Sequence, residues 1–172
     1  MKKYGGRALF LDRNDINTDE IIPAKYLTEN SKADLKSFIL EDLKLEKFTP
    51  ESKVIDEASV IVTRANFGCG SSREHAVWVF EVNDINVVIA ESFARIFRQN
   101  MFNCGLLAIE LSPEVIDELF QLEGEVEIEI DIDQGRLTAK GEQTVTSAFT
   151  LNSFDRDLID AGGWLAYANA KY

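Results

Sequence analysis

One α/β domain built on a mixed sheet is the architecture to expect from these 172 residues. Two features carry that expectation. Between Ala58 and Leu122, β-type runs alternate with helical ones three times over, and strands joined by helical crossovers lie parallel. After Gly124 the pattern changes to short β segments joined by tight turns, which pair antiparallel. Strands of both senses then share one sheet, with helices on its flanks.

In chain order, "RALFL" (Arg7–Leu11) reads as a short strand. "DRNDINTDEIIPAKYL" is a polar loop enclosing the apolar Ile21-Ile22-Pro23. "ADLKSFILEDL" has helical spacing through Leu35, Phe38, Ile39 and Leu43. "ASVIVTRA" is a strand and Ser71 to Val82 a helix; "INVVIAES" is a strand and Phe93 to Asn103 a helix. Cys104-Gly105 reads as the stop of that second helix. "LLAIEL" is a strand, and Pro113 to Leu122 a helix with Ser112 as N-cap and Pro113 at its first position. "EVEIEIDID", "RLTAK" and "TVTSAF" are β segments, the first two joined through Gln134-Gly135. The final "SFDRDLIDAGGWLAYANAKY" is helical and interrupted at Gly162-Gly163. Residues 14–50 are expected to be a mobile functional flank.

The formal net charge of −12 and the pI near 4.5 argue against nucleic acid, whose phosphates call for clustered Lys and Arg. In "EGEVEIEIDID" apolar Val126, Ile128, Ile130 and Ile132 alternate with acids, which describes a strand with one buried and one solvated acidic face. A charged edge of this kind also discourages pairing between molecules. No apolar run is long enough to span a bilayer, and the start "MKKYGGRALFLD" lacks the apolar core of a signal peptide, so a cytoplasmic protein with no membrane partner is expected. Two cysteines, one histidine and no CxxC motif give neither a disulfide framework nor a self-contained zinc or iron–sulfur site.

The densest chemistry lies at a strand-to-helix junction, "VTRANFGCGSSREHAVW" (Val62–Trp78), which holds two glycines, Cys69, two serines, Arg73 and the single histidine, His75. In parallel sheets ligands bind beyond the carboxyl ends of strands. Gly68 and Gly70 allow close backbone approach, and the amides of Gly70, Ser71 and Ser72 are expected to open the helix and hold an anion. Four readings fit. The first is a Ser-capped helix after a glycine turn, with no further role. The second is phosphate binding, against which stands the lack of a P-loop lysine. The third is a Cys69 nucleophile with His75 as base. The fourth is carboxylate chemistry, with Ser71 as a base stabilised by backbone N–H groups and Arg73 gripping the substrate.

Three stretches add a resemblance. "NFGCGSSREHA" (Asn66–Ala76) resembles the signature of the aconitase and isopropylmalate isomerase swivel-domain family. "DINTDEIIPAKYL" (Asp15–Leu27) is similar to that family's N-terminal motif, and "SFARIFRQNMFNCGLLAIEL" (Ser92–Leu111) to its second signature. Together they cover about a quarter of the chain, in the family's order.

The resemblance implies a single swivelling β/β/α domain over residues 1–172, aconitase C-terminal-like, with a mobile active-site loop at about 14–50. It implies a hydro-lyase acting on a small hydroxy-dicarboxylate or tricarboxylate. It further implies a 4Fe–4S cluster carried by a separate large subunit in a heterodimer or heterotetramer, with no metal or cluster bound by this chain. By match to the motifs, Ser71 takes the place of the serine base, Ser72 and Gly70 belong to the anion pocket, and Arg73 binds a substrate carboxylate. Asp19 falls where the family has an active-site aspartate. Lys25 stands near the place of a substrate arginine, keeping the charge but losing the bidentate fork.

Thr28 opens the segment that faces the variable substituent in relatives. Thr28-Glu29-Asn30 offers no arginine for an extra carboxylate, which favours an apolar group such as isopropyl. Homoaconitase-type and dimethylmalate- or citraconate-type small subunits are the alternatives within the class, and a non-catalytic anion-binding module the alternative outside it. Cys69 reads as packing, His75 as a structural hydrogen-bonder, and Arg95 and Arg98 as helix-surface ion-pair formers.

Overall fold

The computed structural model describes residues 2–26, 28, 31–45 and 53–171. Its elements run β1 (Gly5–Leu11), α1 (Thr18–Ile21), two 3₁₀ turns (Ala24–Tyr26 and Lys32–Phe38), α2 (Lys53–Glu57), β2 (Val60–Thr63), α3 (His75–Val82), β3 (Val87–Ala90), α4 (Arg95–Asn103), β4 (Leu107–Glu110), α5 (Pro113–Phe120), β5 (Glu127–Asp131), β6 (Arg136–Lys140), β7 (Thr144–Ala148), α6 (Ser153–Ala161) and α7 (Trp164–Lys171). All seven strands form one sheet in the order β4-β3-β2-β1-β5-β6-β7. The β4-β3-β2-β1 half is parallel and the β1-β5-β6-β7 half antiparallel.

Burial explains the two halves. Every residue of β2 and β3 is buried, as a parallel sheet covered by helices on both faces requires. In β5 the pattern alternates: Ile128 is 2% exposed, while Glu127, Glu129 and Asp131 face solvent. That acidic face is balanced by cations, with Arg7 reaching Glu57, Glu125 and Glu127, and Lys140 reaching Glu129. β5 is nevertheless not an edge strand. It lies between β1 and β6, because the turn at Gly135 returns the chain for antiparallel pairing on its outer side.

Two helix expectations change. The segment from Ala33 to Leu43 is a 3₁₀ turn that ends at Phe38, after which Leu40 adopts a left-handed backbone (φ 56°) and its N–H donates to the Ile21 carbonyl at 2.8 Å. Breaking the helix there buries Leu35, Ile39, Leu40 and Leu43 together. The helix expected from Ser71 begins four residues later, at His75. Ser112 caps α5 as expected, accepting from the Val115 N–H at 3.3 Å.

Much of the stretch between 14 and 45 joins the core: Ile16, Ile21, Ile22, Leu35 and Leu40 are all 1% exposed or less. Leu27, Glu29, Asn30 and residues 46–50, which the sequence assigns to the same loop, lie outside the described residues. No helix among the described residues is long and apolar enough to cross a membrane.

At the opposite pole of the sheet, the Tyr4 hydroxyl donates to the Gly105 carbonyl at 2.6 Å. Burial, with Asp160 nearby, pushes the Tyr4 phenol up to about 12 from 10.0. Burial, then Glu81 and Glu74, pushes the Cys104 thiol up to about 12 from 9.0. Both groups favour their protonated form in the fold, so the stability they contribute is whole below their ordinary values and is lost as pH climbs toward the folded ones. The urea midpoint is therefore expected to hold to about pH 9 and fall from there toward 12. In Cys104→Ala the fall should begin nearer pH 10, where the phenol takes over; an unchanged onset would contradict this.

Candidate functional site at the carboxyl ends of the parallel strands

The chain leaving β1 and the chain leaving β2 run side by side beyond the sheet. The Asp15 N–H donates to the Ala65 carbonyl at 2.9 Å, Gly68 N–H to Ile16 at 2.8 Å, and Thr18 N–H to Cys69 at 2.9 Å. A third segment joins from β3: the Asn66 N–H donates to Ser92 Oγ at 2.8 Å, and the Ala94 N–H to the Phe67 carbonyl at 3.0 Å. Phe67, 1% exposed, anchors this crossing against Phe80, Phe93 and Phe97.

Glycine is required where the crossing tightens. At Gly68 (φ 83°) a Cβ would fall on the Phe97 ring. At Gly70 (φ 95°) a Cβ would meet only Asn17 and Thr18 atoms at 3.5 Å or more, so there the backbone conformation alone demands glycine.

From Gly70 the chain turns outward. Gly70, Ser71 and Ser72 are exposed and Arg73 is half-buried. The Arg73 N–H donates to the Ser71 carbonyl at 2.9 Å and the Ala76 N–H to Arg73 at 3.2 Å. The N–H groups of Gly70, Ser71 and Ser72 have no acceptor among the described residues. They belong to the turn before α3 rather than to its first helical turn, so the helix dipole does not act through them. Successive unpaired N–H groups in a turn still make a concavity that receives anions.

Across this corner stands α1. Asn17 caps it in a reciprocal capping box with Glu20, each side chain accepting from the other's backbone N–H at 3.0 and 3.3 Å. Arg13 pairs with Glu20 from outside. This fixes Asp19 in the first turn, where its carboxylate accepts from Arg73 Nη1. Beneath them the Thr18 hydroxyl is buried with no partner among the described residues.

The structure thus brings together four of the expected site residues, Asp19, Gly70, Ser71 and Arg73, and Ser72 follows on the same turn. Lys25 and Thr28 sit elsewhere. Lys25 is exposed on the first 3₁₀ turn, 4.0 Å from Glu41 and over the Tyr26 ring, and Thr28 is an exposed turn residue. Neither has a described contact with Ser71 or Arg73. The Cys69–His75 pairing is not formed: His75 packs on Trp78, with ring centres 4.5 Å apart. Burial and the nearby Asp15 raise the Cys69 thiol, leaving it protonated and a poor nucleophile at neutral pH. Arg98 is held by Asp155 at 2.8 Å and Glu110 at 3.9 Å, an ion-pair role.

Sequence reading missed Asp15, Asn66 and Ser92. A signal was present: Asn and Asp tolerate the left-handed backbone, and each of the two motifs carries one at its bend.

The aconitase C-terminal domain family matches residues 1–114. The chain belongs to that family. It is 41% identical over 158 residues to the 3-isopropylmalate dehydratase small subunit 2 of Deinococcus radiodurans, covering 92% of this chain and 72% of that one. It is 39% identical over 171 residues to the 3-isopropylmalate dehydratase small subunit of Aquifex aeolicus, covering 98% and 96%. It is 37% identical over 172 residues to the 2,3-dimethylmalate dehydratase small subunit of Eubacterium barkeri, covering 99% and 98%. Among solved structures, a 3-isopropylmalate dehydratase chain from Methanocaldococcus jannaschii superposes with a TM-score of 0.78 at 32% identity, covering 97% of this chain and 93% of that one. The swivel-type mixed α/β fold expected from the motifs is the fold observed.

The glycine geometry yields a contrast. Gly68→Ala should cost about 2–4 kcal/mol in urea unfolding, since ring overlap adds to backbone strain. Gly70→Ala should cost about 1 kcal/mol, from the backbone alone. Equal costs would contradict this difference in surroundings.

Proposed function

We propose that this chain is the small subunit of a 3-isopropylmalate dehydratase, a hydro-lyase of leucine biosynthesis that moves a hydroxyl between adjacent carbons of isopropylmalate. The observation that carries the proposal is the exposed Ser71 corner beside Arg73 and Asp19, at the carboxyl edge of the parallel strands, in a chain similar along its length to subunits of that name.

The roles follow from the chemistry available. Ser71 takes the proton α to a carboxylate. A serine accepts that proton only as its alkoxide, so the unpaired N–H groups around it matter: they stabilise the negative charge on Oγ that the transfer consumes. Arg73 offers its guanidinium to a substrate carboxylate, and the Asp19 carboxylate already at that guanidinium orients it. Gly70 and Ser72 complete the anion pocket. Thr28 opens the segment that meets the variable end of the substrate, and Lys25 supplies a charge near the place of the family's substrate arginine.

Such an edge is half of an active site, and the partner is a large subunit. Among the described residues no group of three metal-binding side chains exists. Membership of the aconitase C-terminal domain family supports a 4Fe–4S cluster carried by the large subunit, where it would supply a Lewis acid for the substrate hydroxyl. A dimethylmalate-type substrate is the second reading, favoured by the full-length similarity to the Eubacterium barkeri subunit.

Reconstitution with a large subunit tests the proposal. Ser71→Ala should lower kcat by about 10²–10⁴-fold while the subunits still assemble, as loss of a proton-transfer group does. Arg73→Lys should raise KM about 10-fold with assembly intact, since the fork is lost. Near-normal turnover in Ser71→Ala would overturn the serine assignment. If the wild-type pair shows no hydro-lyase activity while the lone chain binds small dicarboxylates, a non-catalytic anion-binding module replaces the enzyme.

A further inference from the structure

Asn66 and Asp15 are two of the four non-glycine residues with positive φ among the described residues, each at 57°. They face one another across the two laced segments, and Asn66 Nδ2 donates to Asp15 Oδ1 at 2.9 Å. The neighbouring Asn14 Oδ1 accepts from the Ala65 N–H at 2.9 Å. Both Asn66 and Asp15 are exposed, and an exposed hydrogen bond contributes little to the stability of a fold. Glycine would adopt the same backbone with less strain. The side chains therefore do something that a flexible turn residue would not.

We infer that the Asn66–Asp15 side-chain bond is a clasp that sets the register between the Asn14–Thr18 and Ala65–Cys69 segments, making these two positioning residues for the Ser71 corner. The reason is where each segment leads. Four residues beyond Asp15 stands Asp19; five beyond Asn66 stands Ser71, and seven beyond it Arg73. Below the clasp only two backbone bonds, Gly68 to Ile16 and Thr18 to Cys69, hold the segments together before they diverge. A slip at the bend passes directly into the direction of the Ser71 hydroxyl, while the Arg73–Asp19 ion pair, held by its own charges, keeps the carboxylate clamp. The Asn66 N–H on Ser92 Oγ ties the same bend to the chain leaving β3, so the clasp closes a three-segment junction.

As an account of turnover the inference rests on the proposed hydro-lyase function, and the experiment separates the two. Asp15→Gly and Asn66→Gly keep the left-handed backbone and remove the bond. In the reconstituted pair each should lower kcat about 10- to 100-fold, the range a small misplacement of a catalytic group costs. KM should change less than about 3-fold, because the carboxylate contacts survive. The double variant should lose no more than either single one, as residues acting through one bond do. Asp15→Asn keeps an acceptor oxygen and should restore kcat to within about 3-fold of wild type.

On the isolated chain, Asn66→Gly should speed amide exchange at Gly68 and Thr18 while the β2 and β3 amides stay protected. Unchanged kcat in both glycine variants, additive losses in the double variant, or Asp15→Asn failing like Asp15→Gly would overturn the clasp. Should the wild-type pair prove inactive, the hydro-lyase reading falls. The exchange measurement then decides the clasp alone, and unaltered exchange overturns it.

Discussion

The working edge depends on the backbone bonds from Asp15 N–H to Ala65, Gly68 N–H to Ile16 and Thr18 N–H to Cys69, which hold the chain leaving β1 against the chain leaving β2. The segments come from adjacent parallel strands, whose register is fixed in the core by pairs such as Leu11 with Thr63. Buried strands are stiff and their ends are not. The lacing carries that stiffness beyond the last ladder residue, so a serine and an arginine on a loop can be held as steadily as side chains on a strand. The aromatic cluster about Phe67 closes the crossing from below, and Gly68 is the residue whose lack of a side chain lets Phe97 sit there.

The same arrangement explains why charge is spent as it is. A chain of net charge −12 repels an anionic substrate in general and must attract it in one place. In the proposed function Arg73 and the unpaired N–H groups of the turn provide that place, with the Asp19 carboxylate on the guanidinium. Elsewhere arginines are tied into structural networks: Arg64 by Asp12, Glu91 and Asp117, Arg98 by Asp155 and Glu110, and Arg156 by Asp133 and Asp160. Arg73 differs from these in lying on the turn that carries the unpaired N–H groups.

The parallel half of the fold was plainly legible, because buried β2 and β3 write themselves as short apolar-rich runs bounded by polar residues, Ser59 and Arg64 for one and Asn86 and Glu91 for the other. The helix start was not. Ser71-Ser72 after Gly70 carries the local chemistry of an N-cap, but the chain needs those residues to turn outward before the helix can pack Ala76, Val77, Val79 and Phe80 into the core. The place of β5 was also hidden, since strand alternation reports which face is wet and says nothing of which neighbour lies alongside. Ser71, Arg73 and Asp19 were proposed from their motifs, whereas the Arg73–Asp19 contact depends on tertiary lacing that no spacing along the chain encodes. Asp15 and Asn66 went unremarked because their significance lies in their pairing, 51 residues apart.

The central claim is that an exposed serine on this chain completes a reaction centre housed in another. A structure of the reconstituted pair with substrate bound tests it most directly. The account predicts Ser71 Oγ within about 3.5 Å of the substrate carbon that loses its proton, with Arg73 on a carboxylate of the same molecule. A complex in which the large subunit docks elsewhere and leaves Ser71 in open solvent would contradict it.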